Sequence, residues 1–265
     1  MRKIGINTIA VRNGSMEMDD YLAQVKALGF DTTFTGICGD VAAQVALAEK
    51  IAKQGLEYEF THSDFDGINS IWLAGEDGDT MLARLKSNVD LTAAAGVNKT
   101  VVHLSSGNTP PSVSDIGRAR YMDLVEYAAS KGVDIEFENI RKLANVAWAM
   151  ELFEDCDNVG FCWDCGHENC YTKEIEFMPL FGKRLVCTHI HDNRGIKDGD
   201  DHYLPFDGSF DFSRFAEHIR NSGYTGSLML EVFKCDHLYK NMTNDEFLNR
   251  AAEAAKKLRF MVDGE

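Results

Sequence analysis

The chain has little proline, no glycine–serine tract and no long apolar run. Its 4 prolines in 265 residues, with no low-complexity stretch, leave no recognisable interdomain linker. No segment approaches the roughly 18 consecutive apolar residues of a membrane helix, so no membrane span is expected. The opening Met1-Arg-Lys-Ile-Gly-Ile-Asn7 reads as a strand and lacks the apolar centre of a signal peptide. A cytoplasmic location is the expectation. Positive charge is scarce as well: 27 Lys+Arg against 42 Asp+Glu leaves −15. Such a chain repels polyphosphate unless a basic groove is concentrated locally, and here Lys and Arg are scattered. Nucleic acid is therefore not the expected partner.

What remains is ordinary for a globular protein, with 45% apolar and 26% charged residues. Seven cysteines without export signals read as reduced thiols. Cys162-Trp-Asp-Cys165 has CxxC spacing, but no second pair completes a zinc knuckle, and on a strand the two side chains face opposite ways.

One pattern recurs: a short β-branched or aromatic run, then an amphipathic helix. The strand-like runs are Lys3–Thr8, Thr32–Ile37, Leu56–Thr61, Lys99–Leu104, Asp134–Asn139, Val159–Asp164, Leu185–His191 and Ser227–Phe233. Helical patterns lie between them, among them Met18–Leu28, Val41–Gln54, Thr80–Ala95, Asp115–Lys131 and Ile175–Phe181. Gly29, Gly55, Gly96 and Gly132 stand where left-handed helix stops belong. Strict alternation implies parallel strands joined by right-handed crossovers. Eight units in this length predict a single-domain (β/α)8 TIM barrel over residues 1–265. An open doubly wound sheet would want a glycine-rich phosphate turn after the first strand, and Asn7-Thr-Ile-Ala-Val-Arg-Asn-Gly14 is not one.

In a barrel the chemistry sits at the carboxyl ends of the strands. There the sequence places His62, His103, Glu138 and Asp164, then His167, His189, His191, Asp192 and Glu231, with Asp200-Asp-His202 in a loop. Imidazole and carboxylate converging on one mouth is what a divalent cation needs. Glu138, Asp164, His189 and Glu231 come from four successive strands at equivalent depth and are the expected ligands. His191 shares a face with His189 and reads equally well as barrel filling. Glu136 points inward as a buried partner.

At these residues the chain resembles the xylose-isomerase-like barrels, a group that includes sugar isomerases, ketose epimerases and inositol-pathway dehydratases. The resemblance rests on Phe137-Glu138-Asn139, Trp163-Asp164-Cys-Gly-His167, His189-Ile-His-Asp192-Asn193, Asp200-Asp-His202-Tyr-Leu-Pro-Phe-Asp-Gly208 and Leu230-Glu231. It implies one divalent metal (Mn²⁺, Mg²⁺, Co²⁺ or Zn²⁺) on Glu138, Asp164, His189 and Glu231. It further implies proton transfer by Glu138 and Glu231 through a metal-stabilised enediolate of a small ketose or polyol derivative. His167 and His202 would hold substrate oxygens, with His62 and His103 lining the same cavity. A further cation at His62/His103 or at His167/Asp200/His202 is left open. Some ketose epimerases carry an Arg six residues after the metal His. That position is Gly195 here, and Arg194, one short, is the substitute candidate. Phe65 and Trp72 are candidates for an apolar wall over the sugar, and equally for plain lid packing. Barrels of this group often self-associate, so a homo-oligomer is expected by analogy.

A second class matches by residue type. Three-zinc apurinic-site endonucleases share the barrel, and their nine ligands find counterparts in His62, His103, Glu138, Asp164, His167, His189, Asp200, His202 and Glu231. Against it stand Ile140-Arg-Lys-Leu after Glu138-Asn139, where those enzymes have Thr-Ala-Gly-Gln-Gly, the −15 charge, and the acids of Asp64-Phe-Asp-Gly-Ile-Asn69. A keto-polyol dehydratase and a non-catalytic sugar- or metal-binding barrel are the remaining alternatives.

Overall fold

The computed structural model describes residues 1–11 and 16–264. Residues 12–15, which include the end of the Asn7–Gly14 stretch that lacks a glycine-rich turn, lie outside the described residues. Eight parallel strands alternate with helices: β1 (Ile4–Asn7), β2 (Thr32–Gly36), β3 (Glu57–His62), β4 (Lys99–His103), β5 (Asp134–Glu138), β6 (Val159–Asp164), β7 (Leu185–His189) and β8 (Leu228–Leu230). Their order runs β7-β6-β5-β4-β3-β2-β1-β8. The ring closes where Ile190 bridges Leu230 in parallel, with Ile190 N–H donating to Met229 O at 2.9 Å and Glu231 N–H to Ile190 O at 3.0 Å. This is the (β/α)8 barrel that the alternation predicts.

Two sets of apolar side chains hold it, as strand alternation requires. One fills the space between strands and helices. The other plugs the barrel interior with Phe34, Phe60, Val101, Cys162, Cys187 and Met229. Gly5 makes room for that plug, since a Cβ there would lie 2.5 Å from Met229. The four predicted helix-stop glycines all have positive φ, from 68° to 96°, a region that costs glycine nothing. Among the described residues no helix is long and apolar enough to cross a membrane.

The first six strands fall within one residue of their predicted ranges. Three local readings need correction. The predicted helix Ile175–Phe181 is only Met178–Phe181, and a separate helix, Cys165–Tyr171, starts directly off β6. Asp164 causes this: its carboxylate accepts the His167 N–H at 2.6 Å and caps the new helix. The last strand stops at Leu230, because beyond it Val232 N–H turns to Asn7 Oδ1 and Phe233 N–H to His202 O. Trp72 forms no wall: it is buried, donates to Leu104 O at 2.7 Å and packs against Gly117.

Candidate metal centre

The interior plug stops one layer short of the mouth, and above it lies a cavity of about 660 Å³. His62, His103, Glu138, His167, His202 and Glu231 line it, together with Phe34 and Phe65. Phe65 stacks on His103 with ring centroids 4.3 Å apart, and it lines the cavity, which Trp72 does not. Arg194 stands apart: its half-exposed guanidinium pairs with both oxygens of Asp201 at 2.9 Å, and it does not line the cavity.

Glu138, at the end of β5, is the hub. Its Oε1 lies 3.0 Å from His189 Nδ1, and its Oε2 lies 2.9 Å from His103 Nε2 and 3.3 Å from His62 Nε2. His189 Nδ1 is also 3.4 Å from Glu231 Oε2. Glu138, Asp164, His189 and Glu231 each offer a ligand atom, all within 4.8 Å of one another. His62, His103 and Glu138 form a second such group, His62, His189 and Glu231 a third, and His167, His191, Asp200 and His202 a fourth. The expected four-residue set thus converges, and His191, which the sequence left as barrel filling, joins a neighbouring set.

The charges are strongly coupled. Burial drives the Glu138 carboxyl up, but His189 and His103 outweigh it and hold it well below the usual range. Burial works against charge on His189, yet Glu231 and Glu138 push its imidazole up to about 9. Asp164 follows Glu138, with His167 and His191 overriding burial. Three carboxylates and a buried imidazole whose ligand atoms lie within 4.8 Å of one another are a donor set for a divalent cation. The structure fits that group on a second count. Asp164, a member of the four-residue group, has its Oδ2 buried without a hydrogen-bond partner among the described residues. A buried carboxylate oxygen without a hydrogen-bond donor is open to a cation.

Two supporting residues had no role in the sequence reading. Asn139 clamps Asp164 from both sides, donating to its carbonyl at 2.7 Å and accepting its N–H at 2.8 Å. Asp192 accepts four backbone N–H groups, from Asn193, Phe206, Gly208 and Phe210, and so fixes the loop that carries Asp200 and His202. Both belong to quoted motifs, but their bonding spans up to 25 residues and no local spacing reports it.

An eight-stranded barrel with imidazoles and carboxylates massed at its carboxyl mouth defines a class, and the comparisons agree. The chain matches the model of the xylose isomerase-like TIM barrel family over residues 22–263 and belongs to that family. It is 32% identical over 192 residues to the uncharacterized protein y4fM of Sinorhizobium fredii, covering 67% of this chain and 60% of that one. It is 29% identical over 119 residues to the uncharacterized protein MJ1311 of Methanocaldococcus jannaschii, covering 41% of this chain and 40% of that one. The chain thus spans less than two thirds of the length of either relative.

Among solved structures it resembles the D-psicose 3-epimerase of Clostridium cellulolyticum H10, with TM-score 0.76, 15% identity and 98% and 99% of the two chains covered. An L-ribulose 3-epimerase follows, with TM-score 0.74, 20% identity and coverage of 100% and 95%. A 3-keto-D-glucoside 4-epimerase from E. coli has TM-score 0.70, 19% identity and coverage of 97% and 99%. At such identities the likeness is one of fold.

Proposed function

We propose that the chain is a divalent-metal-dependent isomerase or epimerase acting on a small ketose or polyol derivative. One observation carries the reading: Glu138 and Glu231, from β5 and β8, both meet His189 Nδ1, at 3.0 and 3.4 Å, and both line the same cavity. Two carboxylates reaching one substrate position from separated strands are what moving a proton off one face of a carbon and onto the other requires. The sugar 3-epimerases and the keto-glucoside epimerase among the similar structures support it.

Glu138, Asp164, His189 and Glu231 would hold the cation, which supplies Lewis-acid polarisation of a substrate carbonyl when bound. The chain's own part is proton transfer. One glutamate takes the proton from the carbon beside the carbonyl, leaving an enediolate, and the other returns it. General acid–base action of this kind is worth about 10²–10⁴-fold. His62 and His103 sit against Glu138 at the cavity wall and orient substrate hydroxyls, while Phe65 covers the apolar face of the sugar. His167 and His202 border the cavity too, with their Nε2 atoms turned toward Asp200 at 3.3 and 3.4 Å.

The several ligand groups also favour a second reading, the three-zinc nuclease. Asp64 and Asp66 line the mouth where a phosphate backbone would have to approach, and the charge of −15 opposes it. The deciding experiment incubates the Mn²⁺-supplemented protein with a panel of ketoses and 3-keto-glycosides in D₂O. Solvent deuterium entering the carbon beside the carbonyl is the expected result. No exchange with any sugar, together with cleavage of an abasic-site duplex, would replace this reading by the nuclease.

A further inference from the structure

We infer that the substrate carries an anionic group, a phosphoryl or a carboxylate, and that a second chamber beside the sugar cavity holds it. The identity of the substrate rests on the proposed reading of the first cavity. The anion site rests on the lining of the second chamber alone.

The second chamber has a volume of about 610 Å³, and Arg141 and Tyr171 line both it and the first. Its lining is basic, with Arg141, Lys142, Lys173 and Lys197 against one acid, Glu174. In a chain of 42 Asp+Glu and 27 Lys+Arg, a lining drawn without bias would carry more acids than cations. The four cations come from the loop after β5, the segment after the helix Cys165–Tyr171, and the loop after β7. No run in the sequence reports the cluster; the fold gathers it.

Arg141 is the fixed member and forms the partition between the chambers. Its guanidinium lies 3.9 Å from the centre of the Tyr171 ring and donates to Tyr171 Oη and Asn108 Oδ1, each at 2.9 Å. Among the described residues it is the one member of the four with an ion pair, to Asp198. Lys173 donates to Gly195 O at 3.3 Å, and Lys142 and Lys197 are exposed. Three ammonium groups without a carboxylate partner are thus available to an anion.

Thr172 points to a ligand independently. It lines the chamber, is only 8% exposed, and its hydroxyl has no hydrogen-bond partner among the described residues. A buried hydroxyl left unpaired costs free energy that an acceptor oxygen on a ligand would recover. The helix Leu143–Leu152 also begins at this wall, and its N-cap, Lys142, supplies no side-chain cap. Its first turn therefore adds partial positive charge to that of the side chains.

The two chambers are opposite in sign. Five acids, Glu138 and Glu231 among them, line the first, with two arginines and no lysine. An anionic group is repelled there and drawn to the basic chamber on the other side of Arg141. Opposed potentials on either side of one partition therefore fix which end of the substrate goes where. The charged end lies among Lys142, Lys173 and Lys197, and the uncharged carbonyl end lies at Glu138 and Glu231.

The test titrates inorganic phosphate calorimetrically into the whole chain, with Mn²⁺ bound and again after chelation. One equivalent is expected to bind in both states. Lys142→Ala and Lys197→Ala change exposed side chains that the fold does not need, and each should weaken that binding about tenfold or more. No binding, binding only with Mn²⁺, or wild-type affinity in both variants would overturn the chamber as an anion site. The deuterium-exchange assay then compares a ketose, its phosphate ester and the corresponding keto-sugar acid. KM for one charged sugar should lie at least about tenfold below that of the neutral one, and which of the two it is distinguishes phosphoryl from carboxylate. Equal KM for all three would overturn the substrate class. Phosphate binding that the lysine variants weaken, with no exchange in any sugar, would overturn the sugar reading and the substrate class with it, while the anion site stands.

Discussion

Glu136 and Glu138 stand two residues apart on β5, face the same side of the strand, and carry their carboxyls in opposite states. Glu138, at the mouth, is held ionised by His189 and His103. Glu136, one layer deeper, is pushed up to about 8 by burial, with Lys99 only partly opposing it, and its Oε2 has no hydrogen-bond partner among the described residues. The same side chain on the same face is thus an anion where imidazoles surround it and a neutral acid where they do not.

This sets a pH dependence. The native state keeps the Glu136 proton up to about pH 8, while an unfolded glutamate loses it near pH 4.5. The folded chain therefore binds more protons in that window, and stability falls as pH rises from about 4.5 to about 8. Glu136→Gln removes this contribution. The difference between the denaturation free energies of the two proteins should grow across the window by on the order of a few kcal/mol. Parallel curves from pH 5 to 8 would show that Glu136 is not the group responsible.

Glu231→Gln keeps size and one ligand oxygen but cannot carry the transferred proton. The fold, read by circular dichroism, should persist, and turnover of whichever ketose the exchange screen identifies should drop by about 10²–10⁴-fold. Full turnover in this variant would take the proton-transfer role away from Glu231.

His189 is buried, stacked on Phe34 at 4.9 Å, and meets both Glu138 and Glu231. His189→Ala should lower the affinity for Mn²⁺ sharply and abolish the rise in Tm that Mn²⁺ gives the wild type. An undiminished first Mn²⁺ equivalent would mean that His189 is not a ligand.

Asp192 receives four backbone N–H groups of its own loop. Asp192→Ala leaves those donors without their charged partner. The expected loss is about 3 kcal/mol, or roughly 6–12 °C in Tm for a chain of this size. A Tm within a degree or two of wild type would show that water or neighbouring groups satisfy the loop without it.

The strand–helix alternation determined the barrel, because period-2 and period-3.6 apolar patterns and glycine stops are local quantities. It also determined which residues reach the mouth, because strand ends are readable and alternation assigns each side chain a face. That is why Glu138, Asp164, His189 and Glu231 meet where the pattern puts them. Only the tertiary structure decided partnership. His191 and His189 share a face and a residue type, and one turns to Glu138 while the other turns to Asp164 and Asp200. Arg194 has the charge for a substrate contact, but Asp201 engages it outside the cavity. Phe65 and Trp72 lie in one loop, and one covers His103 while the other enters the core. Each outcome depends on rotamers and on contacts between segments far apart in the chain, and those are set when the strands close into a ring.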